Sequence, residues 1–136
     1  MKLTHTAPMR RNSGMTLLEL TIVILVLLSL VFILFIGARA WKKGSDRATN
    51  IMNIRNVQQA VRGHTNVNGF AVGDALPFTD IVGSGKYIRS MTPPNLDIGY
   101  IFGTRIPPIG TLYLTATYAT GADADYAPTA GSYADW

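Results

Sequence analysis

The residue best placed to do chemistry in this chain is an acid in an apolar setting. Glu19 stands near the start of LELTIVILVLLSLVFILFIGA, residues 18–38, and nothing else in that run is charged. A carboxylate at the edge of a bilayer costs roughly a few kcal/mol or less, depending on depth, so it either snorkels to the interface or awaits a positive partner. The other titratable groups form no recognisable constellation. His5 lies in the polar N-terminal segment, and His64 falls where a helix ends, a position that suits a polar or cationic group facing terminal carbonyls. No Ser/His/Asp arrangement, metal-spaced cluster or full phosphate loop is present, and no cofactor is expected. Gly83-Ser84-Gly85-Lys86 lacks the spacing of a phosphate-binding loop and reads as a turn. Asp123 and Asp125 are two carboxylates, whereas calcium takes about six to eight oxygens. With no cysteine, disulfides, thiolate catalysis and cysteine-based zinc sites are excluded. Enzymatic function is therefore not expected.

The formal net charge of +4 points at first to an anionic partner. Its distribution argues otherwise, because Lys2, Arg10 and Arg11 all precede residue 15, and the remainder of the chain is nearly balanced. Arg39, Lys42, Lys43, Arg47, Arg55 and Arg62 are opposed over that stretch only by Asp46. They can be read as a stripe for nucleic acid or as headgroup contacts and a solvated helix face. The second reading is preferred.

The element that carries Glu19 is a helix. From Leu20 to Ala38 no residue is charged, and at 1.5 Å per residue that run covers roughly 28 Å, enough to cross the hydrocarbon core of a bilayer. Thr21 and Ser29 are its only hydroxyl residues and make no polar face. Before it stands MKLTHTAPMRRNSG, short, basic and polar. A secretory signal has its apolar core ahead of a small-residue cleavage site. Here the order is reversed: Gly14 precedes the apolar core, so a cut at Gly14 leaves that core on the mature protein.

These residues resemble a known family. A basic leader, then Gly14-Met15-Thr16-Leu17-Leu18-Glu19, then a long apolar helix, is similar to the N-terminal signal of type IV pilins and type II secretion pseudopilins. The resemblance covers roughly residues 9–40. It implies cleavage after Gly14 by a membrane-bound prepilin peptidase, methylation of the new amino terminus at Met15, and a role for Glu19 in filament assembly. It implies as partners the inner membrane, copies of this chain and other pilins, with the C-terminal part periplasmic before assembly into a pilus or pseudopilus. Two features depart from the family pattern. Met15 stands where phenylalanine is commoner, and Phe35-Ile36-Gly37-Ala38 replaces a proline found in many family helices. Positive-inside counting also disagrees, since more Lys and Arg follow the span than precede it. A peptidase on the inner side requires the leader there. The alternatives are a pseudopilin of a secretion system and, in a different class, a single-pass anchored binding module that is never cleaved.

Beyond the span, Trp41 among Arg39, Lys42 and Lys43 has the pattern of an interfacial anchor. Ile51, Ile54, Val57 and Val61 then recur at spacings of three and four, predicting an amphipathic helix over 39–63 with Gly63 as its stop. Together with the span this makes one helix over about 15–62, on the order of 70 Å long. Residues 64–136 predict a small β-rich head. Asn68-Gly69 is a turn, Thr79 caps a short helical turn carrying Ile81 and Val82, and Ile98 to Phe102 is a strand with Tyr100 and Phe102 on one face. Gly110 to Tyr118 is the clearest strand, with Leu112, Leu114 and Ala116 alternating against Thr111, Tyr113, Thr115 and Thr117. The segment ATGADADYAPTAGSYADW has little to bury and is expected to be loose. The expected fold is α+β: a long N-terminal helix whose second half packs on a small antiparallel sheet, with 1–14 as leader and 15–38 as membrane or assembly helix.

Overall fold

A computed structural model describes residues 16–136. The order of elements is helix α1 (Leu17–Asn68), a 3-10 turn (Phe78–Asp80), strand β1 (Ile98–Phe102), strand β2 (Leu114–Tyr118) and a single-turn helix α2 (Asp123–Tyr126). The class is α+β, as the residue pattern predicts. By contacts the chain divides into two units at Ala38/Arg39.

Helix α1 contains no proline and passes through Gly37, Gly44 and Gly63 without interruption. Its stop is not Gly63. The helix runs five residues further, to Asn68, and ends at Gly69, whose φ of +68° is left-handed. Phe70 N–H donates to Thr65 C=O at 3.1 Å, and Asn68 Nδ2 donates to His64 C=O at 2.9 Å. This is the glycine-terminated closure that satisfies last-turn carbonyls. Gly63 supplies no such conformation, so local glycine content alone misplaced the end.

In the second unit, Ile54, Val57, Ala60 and Val61 of α1 form the helical side of the core. Facing them are Leu76, Ile81, Ile106, Tyr113 and Leu114, with Tyr100, Phe102, Leu112 and Ala116 partly buried around them. β1 and β2 are antiparallel, with Ile98 opposite Tyr118 and Phe102 opposite Leu114. The period-2 pattern puts Tyr100 and Phe102 toward the core while Ile101 faces out. Beyond β1, the backbone of 104–106 pairs with 73–76: Leu76 N–H to Thr104 C=O at 2.9 Å and Ile106 N–H to Asp74 C=O at 3.0 Å. Pro77, which has no N–H to give, follows at once.

Three expectations for this unit need correction. Pro77, not Thr79, precedes the short turn, which has no side-chain cap, and Ile81 just after it is buried. β2 starts at Leu114 rather than Gly110, and Tyr113 is not an outward partner of Thr111 but the largest fully buried side chain, 1% exposed. Its N–H donates to Gln58 Oε1 (3.0 Å), its hydroxyl donates to Leu76 C=O (2.6 Å), and its carbonyl accepts from Gly103 N–H (2.7 Å). Tyr113 and Leu114 are thus buried in succession, which strict alternation forbids. The ring packs closely on Gly103, where a Cβ would lie 3.1 Å from Tyr113 Cδ2 and crowd it. Finally, the C-terminal segment has more to bury than its composition suggests. Tyr126 is buried and Trp136 packs on the core cluster.

Candidate functional site

The apolar run is helical throughout, and it is bare. Its large side chains from Leu17 to Ile36 are exposed to between 44% (Val23) and 85% (Leu17), on every side of the helix. Exposed apolar surface this continuous marks an interaction site or a membrane segment. The helix is long and apolar enough to cross a membrane, and none of that stretch is covered by the described residues. Its two hydroxyls do not interrupt the surface. Thr21 Oγ1 donates to Leu17 C=O at 2.7 Å and Ser29 Oγ to Val26 C=O at 2.8 Å. Both hydroxyls are then satisfied within the helix, which is what a lipid or a dry protein interface requires.

Glu19 sits in the first turn and is tied to Thr16. Its carboxylate oxygen Oε2 accepts from Thr16 N–H at 2.7 Å and from Thr16 Oγ1 at 3.0 Å, while Thr16 Oγ1 accepts from Glu19 N–H at 3.3 Å. This reciprocal pattern is a capping box: threonine at the N-cap, glutamate three residues on, each satisfying the other's orphan backbone donor. The signal Thr-Leu-Leu-Glu stands in the sequence at the required spacing, yet reading Glu19 only as an intramembrane charge overlooks it. Glu19 Oε1 has no partner among the described residues. Gly14 and Met15, the expected processing residues, lie outside the described residues.

In the second unit the cations of 39–62 are mostly engaged. Lys42 pairs with Asp46 at 2.8 Å, and Asp46 also accepts from Asn95 Nδ2 at 3.0 Å. Lys43 pairs with Asp125 at 2.6 Å, Arg62 donates to the carbonyls of Pro107 and Trp136, and the Arg55 guanidinium lies 5.1 Å from the Trp136 ring centroid. Arg47 reaches Thr129 Oγ1 at 3.4 Å. Lys43, Arg47, Arg55 and Arg62 thus reach residues 107–136, while Lys42 pairs along the helix with Asp46. The hydrogen bonds from Lys42 and Asn95 hold the Asp46 carboxyl below its usual range.

The remaining polar candidates have structural partners. Asp125 is the anion for Lys43, and no group of three or more His, Asp or Glu placed to hold a metal occurs among the described residues. Gly83 to Lys86 form a turn, with Lys86 N–H donating to Gly83 C=O at 3.2 Å. The His64 ring lies tilted against Phe70 and edge-on to Tyr87, with ring centroids 5.6 and 5.7 Å away. Two residues that apolar periodicity passes over prove central. Gln58 is 2% exposed and clamps the start of β2, donating to Thr111 C=O at 3.1 Å and accepting from Tyr113 N–H. Asn50, 0% exposed, donates to Tyr118 Oη and to Tyr126 C=O, both at 3.1 Å. Asn50 lies four and seven residues before Ile54 and Val57, and Gln58 lies four after Ile54 and three before Val61, so helical geometry puts both on the same face. Comparison of the chain with protein-family models, with curated proteins and with solved structures returns no match.

Proposed function

We propose that this chain is the structural subunit of a type IV pilus-like filament, cleaved after Gly14, methylated at the Met15 amino group and polymerised through the apolar half of α1. The observation that carries the reading is an apolar helix uncovered on every side whose only charge, Glu19, has one carboxylate oxygen bonded to Thr16 and the other unpartnered among the described residues. Cleavage would leave an α-amino group at Met15, with a reference pKa near 8 and so largely cationic at neutral pH. In a core of packed apolar helices, Glu19 is tolerable when paired with a cation, and the Met15 ammonium of a neighbouring copy is the one at the right end. Pairing the two would select one axial stagger between copies, as a single polar residue does in a coiled-coil seam. The excess of cations after the span is compatible with an inner leader, because Lys43, Arg55 and Arg62 serve contacts of the head and Lys42 is paired with Asp46 on the same helix.

Mass spectrometry of the mature N-terminus tests the processing step. A chain beginning at methylated Met15 is expected, and an intact Met1 or Lys2 start removes the reading in favour of an anchored module. Glu19→Ala is expected to insert normally and to abolish filaments; filament yield equal to the parent chain would refute the pairing.

A further inference from the structure

Within the second unit, α1 and the loop of residues 87–91 border a groove of about 440 Å³. That falls in the range of about 300–1,000 Å³ common for small-molecule sites. Asn53, Asn56 and Gln59 stand on its helix side, and Tyr87 and Ser90 on its loop side. The three amides follow one another at spacings of three, so helical geometry turns them to one side of α1.

The loop side is tied in place. Ile88 N–H donates to Ile81 C=O at 3.0 Å, Gly83 N–H donates to Ile88 C=O at 2.8 Å, and Val82 and Ile88 form a parallel bridge. Tyr87, next to that bridge, is 49% exposed, and its ring meets His64 edge-on. Its other neighbour is Gly63, where a Cβ would lie 3.8 Å from Tyr87 Cε1, so a longer side chain at 63 would meet the ring. A half-open aromatic ring is thus held at the edge of the groove.

The chemistry of the lining narrows the ligand. No charged side chain among the described residues borders the groove, so it offers no counter-ion to a phosphate, a carboxylate or an amine. Its apolar members are Ala60, which belongs to the core, and Ile88 and Met91, which pack against it. Little apolar surface is left for an acyl chain. What remains is amides, a hydroxyl and an aromatic ring. Asn53 spends Nδ2 on Thr92 C=O and Tyr100 Oη, and its Oδ1 has no partner among the described residues. The Asn56 and Gln59 amides and the Ser90 hydroxyl bond to no other described side chain or backbone group. Each amide presents donors beside an acceptor. Neighbouring hydroxyls on a sugar ring, each both donor and acceptor, complement that pair, and the apolar C–H face of the same ring packs on an aromatic face.

We propose that this groove binds a neutral carbohydrate, with one sugar ring seated on Tyr87 and its hydroxyls bonded by Asn56, Gln59 and Asn53 Oδ1. The site lies wholly within the second unit and does not depend on whether the chain polymerises.

The test uses the full chain, isotope-labelled and held in a zwitterionic detergent that carries no sugar headgroup. Maltotriose, cellotriose and chitotriose serve as neutral probes and sialyllactose as an anionic one. At least one neutral probe should shift the side-chain amide signals of Asn56 and Gln59 saturably at millimolar concentration or below. Tyr87→Ala and Asn56→Ala should each weaken that binding by roughly fivefold or more. Asn56 is exposed on α1, so its variant should keep the parent's urea midpoint, and its result decides if Tyr87→Ala unfolds. Unmoved amide signals with all three neutral probes, or binding unaltered in Asn56→Ala, overturn the proposal. So does a preference for sialyllactose, whose carboxylate finds no cation in the groove. Shifts of the same amides that grow with protein concentration in the absence of sugar overturn it as well and assign the groove to a second copy.

Discussion

Thr16 and Glu19 show how much depends on one oxygen. The capping box uses Oε2 twice and leaves Oε1 without a partner among the described residues, so helix capping and the proposed salt bridge would not compete for the same lone pairs. Thr16→Ala should lose about 1 kcal/mol of first-turn stability, visible as faster amide exchange at residues 17–19 in detergent, with membrane insertion unchanged. Exchange equal to the parent chain would mean that the cap contributes nothing. In the head, burial raises the pKa of the Tyr100, Tyr113 and Tyr118 hydroxyls above the ordinary value near 10. The sign follows by linkage. A raised folded pKa gives stability that is complete below pH 10 and is lost as pH rises toward the folded values, because the unfolded chain ionises first. Urea midpoints should therefore hold from pH 8 to about 10 and fall above it. Phenolate absorbance of the folded protein should lag that of the urea-unfolded chain. Coincident titration curves would contradict this. Asp46 acts in the opposite sense: its lowered pKa gives stability present at neutral pH and lost as pH falls through the acid range.

At the scale of elements, α1 and β1 were legible from their periods. The apolar run and the stripe Ile54, Val57, Val61 require a helix, and Ile98, Tyr100 and Phe102 recur at period 2. What escaped was set by side chains that interrupt a period from outside. β2 loses its first residues because Gln58, more than fifty positions earlier, takes Tyr113 N–H and Thr111 C=O. No local pattern around Tyr113 records that partner. Asn50 and Gln58 were invisible to a count of apolar positions although the same spacing places them on the buried face. Gln58→Leu keeps the volume but strands a buried donor and an acceptor, and it should destabilise the head by about 2 kcal/mol or more. A urea midpoint unchanged from the parent would show that water replaces both bonds. The site was legible in a different way: Glu19 announced itself as a charge in an apolar run, while its bond to Thr16 needed the capping-box spacing to be read as well.

For the molecule as a whole, the head carries its own core and the helix of the first unit has none. In sealed vesicles with the leader on the inside, protease added outside should trim loops of the head and spare residues 17–38 until detergent is added. Protection of the head instead would invert the topology. The bare surface of that helix has a further consequence for traffic. Seventeen large apolar side chains lie open between Leu17 and Ile36. At roughly 1 kcal/mol or more each on partial burial, water would penalise them by on the order of 20 kcal/mol. No appreciable pool of free aqueous subunits can exist against such a penalty. If the proposed filament forms, its subunits must therefore pass this helix directly from lipid to protein, with no step through water.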